Sequence, residues 1–311
     1  MSKYVFGVDV GGTTVKLGYF DMEGDLKDKW EIPTRTENKG ESIIPDIAGS
    51  ILVKMKQEGI AKKDIAGVGL GVPGPVTDDG TVLMAANLGW NMYNPNKELG
   101  ELLGVPVKTG NDANVAALGE MWKGGGQGHA NMVAVTLGTG VGGGIILNGQ
   151  IICGSNGAGG EIGHIHLNDE ETESCGCGNT GCLEQYASAT GIVRLAKKKL
   201  ADSSKESVLR NEEVTAKSVW DAVKAGDELA KEIAEMYGKY LGKGLANVAS
   251  VVNPEIFVIG GGVSKAGEVV IDYMKPYFDK YAFPGAKNAK FALATLGNDA
   301  GIYGSAKLVI G

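Results

Sequence analysis

The sequence predicts an α/β fold with mixed sheets, built as two similar halves around a cleft. Three observations predict it. Short apolar strands alternate with amphipathic helices along the whole chain, the pattern of a layered α/β protein. A strand, a Gly/Thr turn and a second strand occur at residues 4–20 and again at 132–147; such a unit repeated about half a chain apart implies two similar domains facing each other. Between the second unit and the C-terminal helices lies a cysteine-rich loop, residues 161–184, reading EIGHIHLNDEETESCGCGNTGCLE.

Taken in order, Tyr4 to Val8 is an apolar strand, and Leu17 to Phe20 is a second. The tip between them, Asp9-Val10-Gly11-Gly12-Thr13-Thr14-Val15-Lys16, offers amides and hydroxyls to phosphate oxygens; on its own it reads equally as a plain hairpin turn. It is not a Walker A loop, because Gly-x4-Gly-Lys-Ser/Thr is absent and a strand follows. Glu41 to Glu58 carries Ile43, Ile44, Ile47, Ile51, Leu52 and Met55 at helical spacing and is stopped by Gly59. Ile65 to Val72 is a buried strand closed by Pro73-Gly74-Pro75, and Asn87 lies in a loop with Trp90. Pro95 to Leu103 is a short helix. Asn111-Asp112 then stands between a strand and a helix from Ala113 to Trp122, where a carboxylate on position alone reads as an N-cap.

Met132 to Leu137 and Ile145 to Leu147 bracket the second glycine turn, Gly138-Thr139-Gly140 onward. Leu183 to Leu200 is expected as one helix with a solvated basic end, followed by helices at Thr215 to Lys224 and Asp227 to Val251. The strand Glu255 to Ile259 ends in Gly260-Gly261-Gly262 before a helix from Gly267 to Tyr281. Glycines there let a flat ligand approach the backbone. Phe291 to Leu296 is the last strand, and a final helix runs to about Ile310.

The cysteine-rich loop holds Cys175, Cys177 and Cys182, three of the four cysteines, together with His164 and His166. Three thiolates and an imidazole form a closed tetrahedral zinc set. His164 and His166 alternate with apolar neighbours, so period two places both rings on one face and leaves the choice of fourth ligand open. Glu161 and Glu184 bracket the loop, and carboxylates accept hydroxyl hydrogen bonds in pairs.

Composition narrows the function. The 311 residues suggest about two domains. A net charge of −7 argues against nucleic acid as a partner, yet an acidic protein can hold phosphates on backbone amides and magnesium. The 50 glycines are about twice the ordinary usage. With three cysteines assigned to metal, only Cys153 remains, which suits a reducing cytoplasm. No apolar run is long enough for a membrane span.

Glu-Ile-Gly-His followed by Cys-Gly-Cys-Gly-Asn-Thr-Gly-Cys-Leu-Glu resembles the signature of the ROK family (repressors, open reading frames, sugar kinases), and the resemblance extends over residues 4 to 310. Asp-x-Gly-Gly-Thr after the first strand is similar to the first phosphate loop of the sugar kinase and actin-like ATPase superfamily. The resemblance implies two RNase-H-like domains, residues 1–117 plus 298–311 and residues 118–297, with the terminal helix returning to the first. It implies ATP-dependent phosphorylation of a hexose, glucose at its 6-hydroxyl, with fructose, allose and N-acetylmannosamine as rival substrates and polyphosphate as a rival donor. Asp112 becomes the general base. Gly74, Asn87, Asn111, Glu161, His164 and Glu184 join it around the sugar. Asp9 positions magnesium; Gly11, Gly12, Thr13, Thr14, Lys16, Thr136, Gly138, Thr139, Gly140, Gly261 and Gly262 face ATP. His164 becomes the zinc ligand beside Cys175, Cys177 and Cys182, and the zinc is structural. A homodimer is the family default. Repressors resembling the family carry a DNA-binding segment ahead of the first phosphate loop, and here that loop begins at residue 9.

Overall fold

In the computed structural model of the protein, which describes residues 2–311, the first half starts with an antiparallel meander of β1 (Tyr4–Val10), β2 (Thr14–Asp21) and β3 (Leu26–Pro33). A single-turn α1 (Glu37–Gly40) and the helix α2 (Ile43–Glu58) lead to β4 (Ile65–Val72). A small hairpin, β5 (Val82–Ala85) and β6 (Trp90–Tyr93), precedes α3 (Pro95–Leu103), β7 (Val107–Asn111) and α4 (Asp112–Lys123). The second half has β8 (Met132–Leu137), β9 (Val141–Leu147) and β10 (Gln150–Ile151), then α5 (Glu184–Ala187), α6 (Ala189–Asp202), α7 (Ala216–Lys224) and α8 (Glu228–Val252). It closes with β11 (Ile256–Gly260), α9 (Val269–Tyr281), β12 (Lys290–Leu293) and α10 (Ala300–Ile310).

The repeat read from the sequence is a repeat of topology. One sheet has the order β3-β2-β1-β4-β7 and the other β10-β9-β8-β11-β12. In each, three antiparallel strands lead into two that pair parallel to the first. This is the duplicated two-domain architecture of the actin-like ATPase and sugar kinase fold. Each sheet has its own core: Phe6, Leu17, Ile47 and Leu70 in the first half, Trp220, Tyr237, Phe257 and Phe278 in the second. β4 and β11, which carry glycines and aliphatics without alternation, are buried on nearly every residue, as central parallel strands require.

Several elements differ from the sequence reading, among them the last strand, which stops at Leu293 and not at Leu296. β3 was not expected; its alternating half-buried and exposed residues mark a one-sided edge strand whose polar face hides the pattern. The Asn87–Trp90 loop is the turn of the β5–β6 hairpin. The helix expected from Leu183 to Leu200 is broken at Ser188, whose backbone is extended (φ −87°, ψ 175°). Ser188 Oγ caps α6 by accepting from Gly191 N at 2.9 Å, and it donates to the Glu184 carbonyl at 2.7 Å. A serine that can serve both helix ends stabilises a break that apolar periodicity does not register.

The terminal helix α10 returns to the first half and lies against β1, β4 and α4. Its crossing with α4 works through glycine. A Cβ on Gly304 would stand 1.5 Å from the Val115 carbonyl oxygen, and one on Gly119 would stand 2.3 Å from that of Ala300. Both obstacles are backbone, so Gly304→Ala separates the helices and destabilises the fold by roughly 1–3 kcal/mol or more, as overpacking does. Thermal and urea melts read this directly, and an unchanged midpoint contradicts the account.

Candidate active site

β7 ends at Asn111 and α4 begins at Asp112, so the expected base lies at a helix N-terminus. The cap, however, is its neighbour: Asn111 Oδ1 accepts from Asn114 N at 3.2 Å. Asp112 Oδ1 accepts from Ala113 N at 2.8 Å and from Asn111 Nδ2 at 3.0 Å. With the capping task taken by Asn111, the N-cap explanation of Asp112 falls away.

Around this carboxylate the structure places Asn111, Gly74 and Glu161 of the residues expected to hold sugar. Asn111 Nδ2 donates to the Gly74 carbonyl at 3.0 Å. Gly74 itself is left-handed (φ 88°), with no room for a Cβ beside the Met84 carbonyl oxygen at 2.1 Å. Asn87, in the β5–β6 turn, approaches the first glycine turn, its Nδ2 standing 3.4 Å from where a Cβ of Gly12 would be. Glu161 approaches from the second half, and its charge opposes ionisation of Asp112.

Asp9, at the end of β1, is the second acid. Its carboxyl group fits against the first turn of α10, where a Cβ on Gly301 would meet Asp9 Cγ at 2.6 Å. Burial raises its pKa above the ordinary aspartate value, Lys16 lowers it, and Asp112 raises it further. Lys16 also donates from Nζ to the Asn298 carbonyl at 3.3 Å. Gly12 and Thr13 are exposed at the tip, held from below by Gly11 N on the Thr14 carbonyl at 3.0 Å and Thr34 N on the Thr13 carbonyl at 2.9 Å. The second turn is held the same way. Ala189 N donates to the Gly138 carbonyl at 2.7 Å and Thr190 Oγ1 to that of Thr139 at 2.8 Å. The break at Ser188 therefore brings the N-terminus of α6 against this turn.

Beyond the turns is a cavity of about 460 Å³ whose walls include Thr136, Gly261, Gly262, Glu120 and Asn298. Three of these, Thr136, Gly261 and Gly262, are residues expected to face ATP.

The zinc loop behaves as a ligand set. The donor atoms of His164, Cys175, Cys177 and Cys182 all lie within 4.8 Å of one another. Cys177 Sγ and Cys182 Sγ are 3.8 Å apart, and Cys175 Sγ is 3.7 Å from His164 Nδ1. Zn–S bonds of about 2.3 Å at tetrahedral angles place sulfurs about 3.8 Å apart, so the set fits zinc. The choice between the histidines is settled by geometry. His166 has Nδ1 on the Thr180 carbonyl and Nε2 on Asp169 Oδ1, both at 2.8 Å, so both of its nitrogens are occupied. The period-two expectation fails because Ile162–His164 is a 3-10 turn, which rotates the two rings apart. His164 Nε2, away from the sulfurs, lies 3.9 Å from Glu161 Oε2. Glu184 sits deeper than a rim residue: Oε2 accepts from Val141 N at 2.9 Å, and Oε1 lies 3.5 Å from Cys175 Sγ. It thereby ties the zinc loop to the second glycine turn, with acceptor capacity left on each oxygen.

The ROK family matches the chain over residues 5–311. The chain belongs to the ROK family. The glucokinase of Halalkalibacterium halodurans is 46% identical to this ROK chain, over 99% of the chain and 95% of the relative. The glucokinase of Streptomyces coelicolor is 36% identical, over 97% and 96%. A ROK glucokinase from Streptomyces griseus, solved in complex with glucose and AMPPNP, superposes with a TM-score of 0.73 at 34% identity, covering 98% of each chain.

Two features of this ROK site escaped the sequence reading. Glu120 looked like one more polar residue on a helix, but it is buried in the wall of the cavity. Ala189 and Thr190 hold the second glycine turn, a contact 51 residues apart in sequence for Thr190 and Thr139 that no local pattern records.

The electrostatics set a pH dependence. Asp112 is reached by solvent, yet protein surrounds it on most sides of the cleft. Desolvation raises its pKa, the bonds from Ala113 and Asn111 lower it in part, and Glu161 raises it. A base acts ionised, so kcat/KM rises with pH as the raised group deprotonates. The acid limb is expected above the ordinary aspartate value. A limb at or below that value contradicts the assignment.

Proposed function

We propose that this ROK chain is an ATP-dependent hexose kinase of the glucokinase type, transferring the γ-phosphoryl group of ATP to the 6-hydroxyl of glucose. The observation that carries the reading is Asp112. It is an acid at a helix N-terminus that does not serve as the cap, with Asn111 and Gly74 beside it and Glu161 acting on it from the second half. The glucokinase relatives and the glucose- and AMPPNP-bound neighbour support it.

Asp112 takes the proton of the 6-hydroxyl as that oxygen bonds to the γ-phosphorus. The bond to the β–γ bridging oxygen breaks, and ADP leaves with that oxygen. Both recorded bonds to Asp112 end on Oδ1, which leaves Oδ2 to receive the proton. Asn87, Asn111, Glu161, His164 and Glu184 orient the sugar. The turns at residues 11–14 and 138–140 hold phosphates, and the 460 Å³ cavity holds the adenosine. Most of the rate then comes from positioning and charge stabilisation.

Two neighbouring acids, Asp9 and Asp112, with Lys16 beside them, fit a hydrated dication. Asp9 would hold such an ion, which when bound would supply positive charge against the phosphates. The zinc is structural, because four protein ligands leave no open position. We assign residues 1–117 plus 298–311 to one domain and 118–297 to the other, and expect a homodimer acting in cytoplasmic sugar catabolism. No helix among the described residues is long and apolar enough to cross a membrane. A coupled ADP-release assay across a hexose panel tests the reading: glucose should give the highest kcat/KM. Absence of glucose-dependent ADP release, or a higher value for N-acetylmannosamine, overturns it.

A further inference from the structure

We infer that Glu120 is a positioning residue that couples the wall of the nucleotide cavity to the helix carrying the base; this rests on the ATP-kinase reading above. Glu120 is on α4 and only 4% exposed. A carboxylate this buried is ordinarily matched by a cation; among the described residues no Lys, Arg or His lies within ion-pair distance of it. Three backbone amides take that place. Gly125 N donates to Oε2 at 2.9 Å, Thr295 N to Oε2 at 3.1 Å and Leu296 N to Oε1 at 2.9 Å. The carboxylate also fills the space beside Gly124, where a Cβ would stand 2.0 Å from Oε2.

The two segments it joins are distant in sequence and different in task. Thr295 and Leu296 lead directly into the turn Gly297–Asp299, whose Asn298 lines the cavity and receives Lys16 through its carbonyl. α4 begins at Asp112. Eight residues of helix separate the base from Glu120, about 12 Å at 1.5 Å per residue. One rigid helix thus carries the base at one end and, at the other, the carboxylate that fixes where the 295–298 wall stands. A nucleotide entering the cavity meets a wall registered to the base. Asn298 and Lys16 then connect that wall to the first glycine turn.

E120Q separates this role from a general contribution to folding. The amide keeps one oxygen acceptor but turns an NH2 group on a backbone donor, leaving at least one buried N–H without a partner. The KM for ATP is expected to rise about tenfold or more. The KM for glucose should stay within about twofold, because the helix keeps Asp112 and its neighbours in place and only the 295–298 wall loses its register to it. The rise in melting temperature produced by AMPPNP should shrink, and that produced by glucose should persist. An ATP KM within about twofold of wild type, well short of the expected loss, overturns the inference, and so does a parallel rise in both KM values with a lowered melting temperature. A wild type that AMPPNP does not stabilise overturns the kinase reading and this inference with it. A responsive wild type with an equally responsive E120Q overturns this inference alone. If E120Q fails to fold, hydrogen exchange in the wild type decides. The Thr295 and Leu296 amides should be protected without nucleotide and further slowed by AMPPNP, and indifference to AMPPNP overturns the coupling.

Discussion

Asp112→Asn lowers kcat by about 10²–10⁴, the usual cost of losing a general base, while glucose still binds. The amide oxygen can keep the bonds from Ala113 N and Asn111 Nδ2 that now end on Oδ1. What disappears is the second oxygen and its capacity for the proton of the 6-hydroxyl. Sugar binding loses at most one charge-assisted hydrogen bond, roughly 1.5–3 kcal/mol, so calorimetry should still detect glucose, weaker by at most about a hundredfold. Helix stability should not change, because the N-cap is Asn111 and its bond to Asn114 N is untouched. A variant that turns over within about fivefold of wild type, far inside the loss expected of a missing base, returns Asp112 to a structural role.

Cys177→Ser removes one of four metal donors, and metal affinity should fall by more than the roughly 10–100-fold typical of losing an outer partner. Its consequences spread along the loop. Glu184 follows Cys182 by two residues and holds Val141 N, and His164 faces Glu161. Loss of zinc therefore loosens the sugar side and the second glycine turn together, because metal-binding energy is folding energy for such a loop. Elemental analysis should give one zinc per wild-type chain and a substoichiometric amount in the variant. The variant should also have a lower melting temperature and weaker glucose binding. Metal-free wild-type enzyme at full activity contradicts a structural zinc.

The sequence by itself determined what depends on neighbours along the chain. Alternating apolar runs named the α/β class. The duplicated strand–turn–strand unit anticipated two sheets of identical order. The spacing Cys-x-Cys-x4-Cys named a metal loop whose sulfurs do converge. The ROK resemblance carried the candidate sugar residues, and in the structure Asn111 bonds Gly74 and Asp112 while Glu161 comes near Asp112 from the second half.

Only the tertiary structure decided matters that turn on which groups satisfy which others across space. Asp112 is freed for chemistry because Asn111 takes the cap, a choice between adjacent residues that propensity ranks as equal. His164 joins the three sulfurs in one donor set while His166 is occupied by Thr180 and Asp169. Glu184 reaches the second glycine turn 43 residues away in sequence. Glu120 is buried only because amides from residues 125, 295 and 296 surround it. Glu184 and Glu120 depend on a polar group finding a partner far along the chain, and Asn111 and His166 on which of several near neighbours a side chain takes; local periodicity records burial and turn chemistry but neither kind of pairing.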